Sequence, residues 1–239
     1  EKANKPLKMA QRLNSIGECY DKLRQFDKAI ETYNKSIVIG QAENDINLLG
    51  QAYNSLGAVY ASKKDFNKAE EYYNKALPLC RKANNQGAIA IILNNLAEVY
   101  TDYKYEPQKA MDYLLEAEKY FRQQNDKENL SEVLNSLGGL GISIASSNNN
   151  ISQLTNSVNW YKESIALKEE LRKNMKGEQR IKYLASVIFS YELLTACYIY
   201  MYNYSEAINT LEISRAKSLS EKMASGTEVK PVTDRKSVV

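Results

Sequence analysis

The chain has 239 residues, 44% apolar and 26% charged, and a net charge of +3. That is an ordinary soluble composition, long enough for one large domain or one repeat array, with too little charge to argue for nucleic acid by itself. No run approaches the ~18 consecutive apolar residues of a membrane span, so no membrane segment is expected.

Histidine is absent. Its absence removes Ser-His-Asp and Cys-His nucleophilic sites. The usual zinc sites go too, because three scattered cysteines cannot close a tetrahedral shell. There is no glycine-rich phosphate loop. Carboxylate catalysis stays open in principle, but the expectation is a chain with no enzymatic site, no metal and no cofactor. Cys19, Cys80 and Cys197 are odd in number and widely spaced, which points to a reducing, cytoplasmic setting and to small buried hydrophobes. The opening Glu1-Lys2-Ala3-Asn4 has neither an initiator Met nor a signal-peptide pattern, as expected of an excised or processed piece. Residues 1–5 read as the end of a preceding helix.

In chain order, the first unit carries Leu13, Ile16, Gly17 and Tyr20, then Phe26, Ala29, Tyr33 and Ser36. The second carries Tyr53, Leu56, Gly57 and Tyr60, then Phe66, Ala69, Tyr73 and Ala76. The third carries Leu93, Leu96, Ala97 and Tyr100, then Ala110, Leu114 and Ala117. The i, i+3, i+4, i+7 spacing predicts amphipathic helices, two per unit, joined by short polar turns. Pro107 suits the first turn of a helix. The fourth unit opens with Leu134, Leu137 and Gly138. Gly141 then stands in the place of the tyrosine, and "SSNNNISQLTNS", Ser146 to Ser157, predicts a turn lengthened by about seven residues, since Asn and Ser compete with helical backbone bonds. The unit resumes at Trp160, Tyr161 and Ser164. The fifth carries Tyr191, Leu194, Thr195, Tyr198, Ala207, Leu211 and Ser214, with Thr in place of Gly. The predicted units are about 6–43, 44–84, 85–126, 127–176 and 177–225, within an array over 1–225. Residues 226–239 lack periodicity and read as a linker or disordered tail.

A mid-helix glycine costs about 1 kcal/mol relative to alanine. Its recurrence at Gly17, Gly57 and Gly138, with Ala97 between, predicts a second helix packed too close for a side chain. Ala29, Ala69, Ala110 and Ala207 are the expected contacts on that helix, with Tyr20, Tyr60, Tyr100 and Tyr198 packing one turn further on.

The pattern of large residue, Leu/Ile, Gly/Ala, Tyr, Ala, aromatic, Ala resembles the tetratricopeptide repeat, with steps of about 40 residues instead of the usual 34. The resemblance covers roughly 6–222. It implies an all-α, right-handed superhelix (an α-solenoid) of about five helical hairpins, whose first helices line a concave groove. The residue three before the Gly/Ala then points into the groove. In four units that residue is asparagine: Asn14, Asn54, Asn94 and Asn135. One acceptor and two donors on each amide suit bidentate bonding to an extended peptide backbone. In long-repeat relatives asparagines at this place hold peptide, so the resemblance implies the same here. The alternative is that they bond the neighbouring repeat and serve stacking. In the fifth unit Glu192 takes the place. Glu18, Asp21, Lys22, Glu98 and Asp102 are expected on the same face. Four acids against one base favour a basic or backbone-read protein or peptide partner, and direct nucleic-acid readout is not expected. The dense "YIYMYNY", Tyr198 to Tyr204, reads as a helix end and turn.

The last helix carries Glu212, Arg215, Ala216 and Leu219, similar to the "E-x-x-R-A-x-x-L" phrase that closes repeat arrays joined to bacterial caspase-like CHAT peptidases, including an RNA-guided CRISPR-associated one. That resemblance implies a regulatory array with its catalytic domain beyond Val239. A third expectation is a scaffold working through its convex face. The Lys- and Asn-rich usage hints at an AT-rich bacterial genome.

Overall fold

The computed structural model describes residues 5–148 and 151–224. The two asparagines between those spans, and the predicted tail 226–239, lie outside them. The described residues form ten helices: α1 (Lys5–Lys22), α2 (Phe26–Ala42), α3 (Ile46–Ser62), α4 (Phe66–Lys82), α5 (Gln86–Asp102), α6 (Pro107–Gln123), α7 (Lys127–Asn148), α8 (Ile151–Lys173), α9 (Gly177–Tyr200) and α10 (Tyr204–Ala224). Consecutive helices pack as hairpins, and each hairpin packs on the next.

Local chemistry sets the breaks. In the first three turns between hairpins a left-handed asparagine closes the helix: Asn44 (φ 52°), Asn84 (φ 52°) and Asn125 (φ 54°). Asparagine tolerates this conformation better than most side chains. The next residue caps the following helix: Asp45 Oδ1 accepts from the Leu48 amide at 2.9 Å, Asn85 Oδ1 from Ala88 at 3.1 Å and Asp126 Oδ1 from Asn129 at 3.1 Å. These caps satisfy amides that have no partner inside the helix.

The core is divided into three clusters, over α2 and α3, over α4 to α7, and over α7 to α10. Leu56, Ile92, Leu93, Leu96, Leu134 and Leu137 are fully buried. Truncating one such leucine to alanine costs about 2–5 kcal/mol. Within hairpins the helices add buried polar bonds: Ser36 Oγ donates to Ala10 O at 3.2 Å, and Ser164 Oγ to Ser131 O at 2.7 Å.

Three expectations are corrected. The first concerns the mid-helix glycines, which face tyrosine rings, not the alanines of the second helix. A Cβ on Gly17 would lie 2.7 Å from the ring of Tyr33, and one on Gly138 would lie 2.6 Å from that of Tyr161. In the third hairpin Ala97 replaces the glycine and Leu114 stands where the ring would be, so a smaller partner accompanies a larger one. Ala29, Ala69, Ala110 and Ala207 are themselves buried one turn before that position. Of the four tyrosines, Tyr100 and Tyr198 are buried and Tyr20 and Tyr60 half-buried.

The second correction is the long fourth turn. The Ser/Asn-rich segment is helical up to Asn148 and again from Ile151, so the extra residues lengthen α7 and α8 to 22 and 23 residues. The serines turn their hydroxyls back onto the helix, Ser146 to Ile142 O (2.9 Å) and Ser147 to Ser143 O (3.0 Å), while Ile144, Ala145, Leu154 and Val158 supply buried contacts. Packing outweighs the unfavourable propensity.

The third is Cys19, which is exposed, whereas Cys80 and Cys197 are buried. Its counterparts Val59 and Val99 are buried by the preceding hairpin. No described helix precedes α1, so Cys19 and Ile16 (46% exposed) stay open. Among the described residues α9 is long and apolar enough to cross a membrane by length and composition alone. Its Leu184, Val187, Leu194 and Cys197 are buried in the array.

Candidate functional site

The odd-numbered helices form the inner layer. α1 packs on α3, α3 on α5 and α7 on α9, whereas even-numbered helices pack appreciably only on the odd helices that flank them. The array therefore curves toward the odd helices, and their free face is concave.

Asn14, Asn54 and Asn94 sit half-buried on α1, α3 and α5. The Oδ1 of Asn14 is buried without a hydrogen-bond partner. Asn54 accepts from Asn95 Nδ2 of the next hairpin at 3.3 Å, and Asn94 donates to Glu98 Oε1 at 3.1 Å. A cleft of about 500 Å³ crosses α1, α3 and α5, and five side-chain amides line it: Gln11, Asn14, Gln51, Asn54 and Asn85. Gln11, Gln51 and Asn85 were not foreseen. The signal available for the glutamines was their place one turn before Asn14 and Asn54.

Asn135 is different. It is buried, and its Nδ2 donates to Ser190 Oγ of α9 at 2.9 Å. Expected in the groove, it instead ties α7 to α9. Glu192, in the fifth unit's corresponding place, is exposed.

The predicted charges divide along the groove. Glu18 pairs with Lys22 at 2.8 Å on the exposed end of α1. Asp21 is half-buried with one oxygen unpartnered; burial, then the charge of Glu18, pushes its carboxyl up. Glu98 and Asp102 lie further along, in a second cleft of about 670 Å³ between α5, α6 and α7 that also exposes Asn94. The walls of this cleft push the Glu98 carboxyl up, and Asp102 adds to that, against the bond from Asn94. The described residues hold no group of His, Cys, Asp and Glu positioned to bind a metal.

Family models described as tetratricopeptide repeat match residues 10–38 and 48–123. Those residues match the repeat, and the described helices share the fold of tetratricopeptide-repeat solenoids. Solved structures agree on the fold of the repeats. BtubC (BKLC) from P. vanneervenii is 18% identical with a TM-score of 0.73, over 100% of this chain and 94% of that one. A kinesin light chain with nearly identical TPR-like repeats, from Podosopora anserina, is 16% identical with a TM-score of 0.65, over 91% and 98%. YrrB, a TPR protein with an unusual peptide-binding site, is 16% identical with a TM-score of 0.56, over 94% of each chain. At these identities the likeness is one of fold. No curated protein matches the chain in sequence.

Proposed function

We propose that this tetratricopeptide array is a protein-interaction module that holds an extended peptide segment along the inner helices through Asn14, Asn54 and Asn94. The observation that carries the reading is the amide-lined cleft over α1, α3 and α5, in which Asn14 Oδ1 is buried with no partner. An unpaired buried acceptor costs about 1–3 kcal/mol, and a backbone N–H of a bound segment would relieve that cost. Side-chain amides offer both donors and acceptors, so they can read peptide backbone with little regard to its side chains. Glu18 and Asp21 flank the entrance on α1, while Glu98 and Asp102 flank the continuation on α5. Packed inner helices lie about 8–10 Å apart, so the run from α1 to α5 accommodates about six extended residues.

The test is selection of random dodecapeptides displayed on phage against the immobilised chain, followed by affinity measurement with N14A/N54A/N94A. At about 1 kcal/mol per amide, the triple variant loses about two orders of magnitude in affinity while its circular dichroism stays helical. A folded variant that binds the selected peptides as well as wild type refutes the reading.

A second reading is a regulatory array that docks a downstream CHAT-type domain. Glu212, Arg215, Ala216 and Leu219 favour it: they are all exposed along one face of α10, which packs on α9 and on no later described helix. This reading requires a Cys–His domain outside residues 1–239, and sequencing the native gene past Val239 tests it.

A further inference from the structure

The inner layer is closed from α1 to α5 and from α7 to α9, but α5 and α7 do not pack on one another as the other inner pairs do. The larger cleft opens where that contact is missing. Its floor is apolar, formed by Ala97, Leu114 and Leu140. The α7 wall presents Ser136, Gly139 and Ser143, small groups on one helix face that leave space where larger side chains would fill it. The α5 wall presents Glu98 and Asp102 one turn apart. Among the described residues no lysine or arginine lines this cleft or the amide-lined one. At the rim Tyr105 is 79% exposed, in a left-handed turn conformation (φ 55°), two residues before Pro107. Arg24 and Lys64 hold the same left-handed place in the two preceding hairpins' turns, so among the first three hairpins only this one sets an aromatic ring there; Tyr202 does so again in the last hairpin, away from the cleft.

An apolar floor, two carboxylates without a lining cation and an aromatic rim together match one kind of side chain, a long aliphatic stem ending in a positive charge. We propose that the cleft between α5 and α7 is a subsite for a lysine or arginine of the bound segment, with its stem over Leu114 and Leu140 beside Tyr105 and its charge between Glu98 and Asp102. This rests on the groove reading above and adds a specificity to it: the module selects basic segments, with one cation placed about one repeat beyond the Asn54 contact.

The experiment uses the full chain. Dodecapeptides are selected on wild type and on E98Q/D102N, and each basic residue of the selected peptides is then replaced by norleucine, which keeps the stem and removes the charge. Affinities are read by fluorescence polarisation at 150 mM salt. For one basic position the replacement should weaken binding to wild type at least tenfold and binding to E98Q/D102N less than twofold. Y105A should weaken binding by about threefold, the scale of an exposed cation–π contact. Peptides that require Asn14, Asn54 and Asn94 but tolerate norleucine everywhere would overturn the subsite and leave the groove standing. A basic residue that matters equally in both proteins would do the same. Peptides that bind N14A/N54A/N94A undiminished, or a selection that enriches none, would overturn groove and subsite together. The norleucine comparison on wild type does not depend on any variant's folding.

Discussion

A Cβ built on Gly57 lies 2.5 Å from the ring of Tyr73, so glycine and tyrosine share one packing space across the α3–α4 hairpin. Gly57→Ala gains about 1 kcal/mol of helix propensity and sets it against about 1–3 kcal/mol of overpacking, because Tyr73 is buried and cannot step aside. The expected outcome is net destabilisation of about 1 kcal/mol in urea melts. Tyr73→Leu alone leaves a void over the glycine. The double variant recreates the Ala97 and Leu114 combination and should be more stable than the two single losses add up to, by about 1 kcal/mol in a double-mutant cycle.

The asparagine positions separate by burial. Asn135→Ala removes a buried bond to Ser190 and should cost about 1–2 kcal/mol, seen as an earlier urea midpoint with peptide affinity unchanged. Asn94→Ala, at a half-buried site bonded only to Glu98, should leave the midpoint within about 0.5 kcal/mol and weaken the selected peptides. Equal stability effects at the two positions would contradict the division.

Glu98 carries a pH signature. Its side chain reaches solvent, but the surrounding walls of the cleft, and then Asp102, raise its carboxyl in the folded chain, so the folded state holds the proton more tightly than the unfolded one. The destabilisation is fully present above the folded value and fades as pH falls below it. Glu98→Gln should therefore raise the thermal midpoint at pH 7, with the gain disappearing toward pH 4. A gain of the same size at both pH values would show that ionisation is not its cause.

At the other end, Glu169 has the opposite sign. Burial alone would push its carboxyl up, but bonds from Lys217 (2.9 Å) and Arg172 (3.1 Å) outweigh it and hold the carboxyl below 4.5. Arg172 also reaches Glu221 at 2.8 Å, which links α8 to α10. A lowered carboxyl stabilises the fold above its unfolded value, and that stability is lost as pH falls through the folded one. Glu169→Gln should lower the midpoint by a few degrees at pH 7 and match wild type near pH 3. Monitoring α10 by hydrogen exchange should show it loosening first.

The hairpins were legible because helical periodicity is local. Leu13, Ile16, Gly17 and Tyr20 recur as Tyr53, Leu56, Gly57 and Tyr60, and backbone geometry alone gathers that spacing onto one helix face. The same local logic misjudged Ser146 and Ser147, whose poor propensity is overridden by buried neighbours contributed from α8. It also passed over the asparagines at 44, 84 and 125, which close turns and are marked only by the cap residue that follows each.

The sequence by itself determined the all-helical class, the hairpin repeat and the phase at which the groove asparagines recur, since each of these follows from side-chain order along one helix. Only the tertiary structure decided that Asn94 faces a cleft while Asn135, the same residue at the same phase, is buried against Ser190, 55 residues away. It also decided that α5 and α7 part to open a cleft beside Glu98 and Asp102. The distance between two helices is set by the summed volumes of side chains from several elements, a quantity that no single stretch of sequence contains.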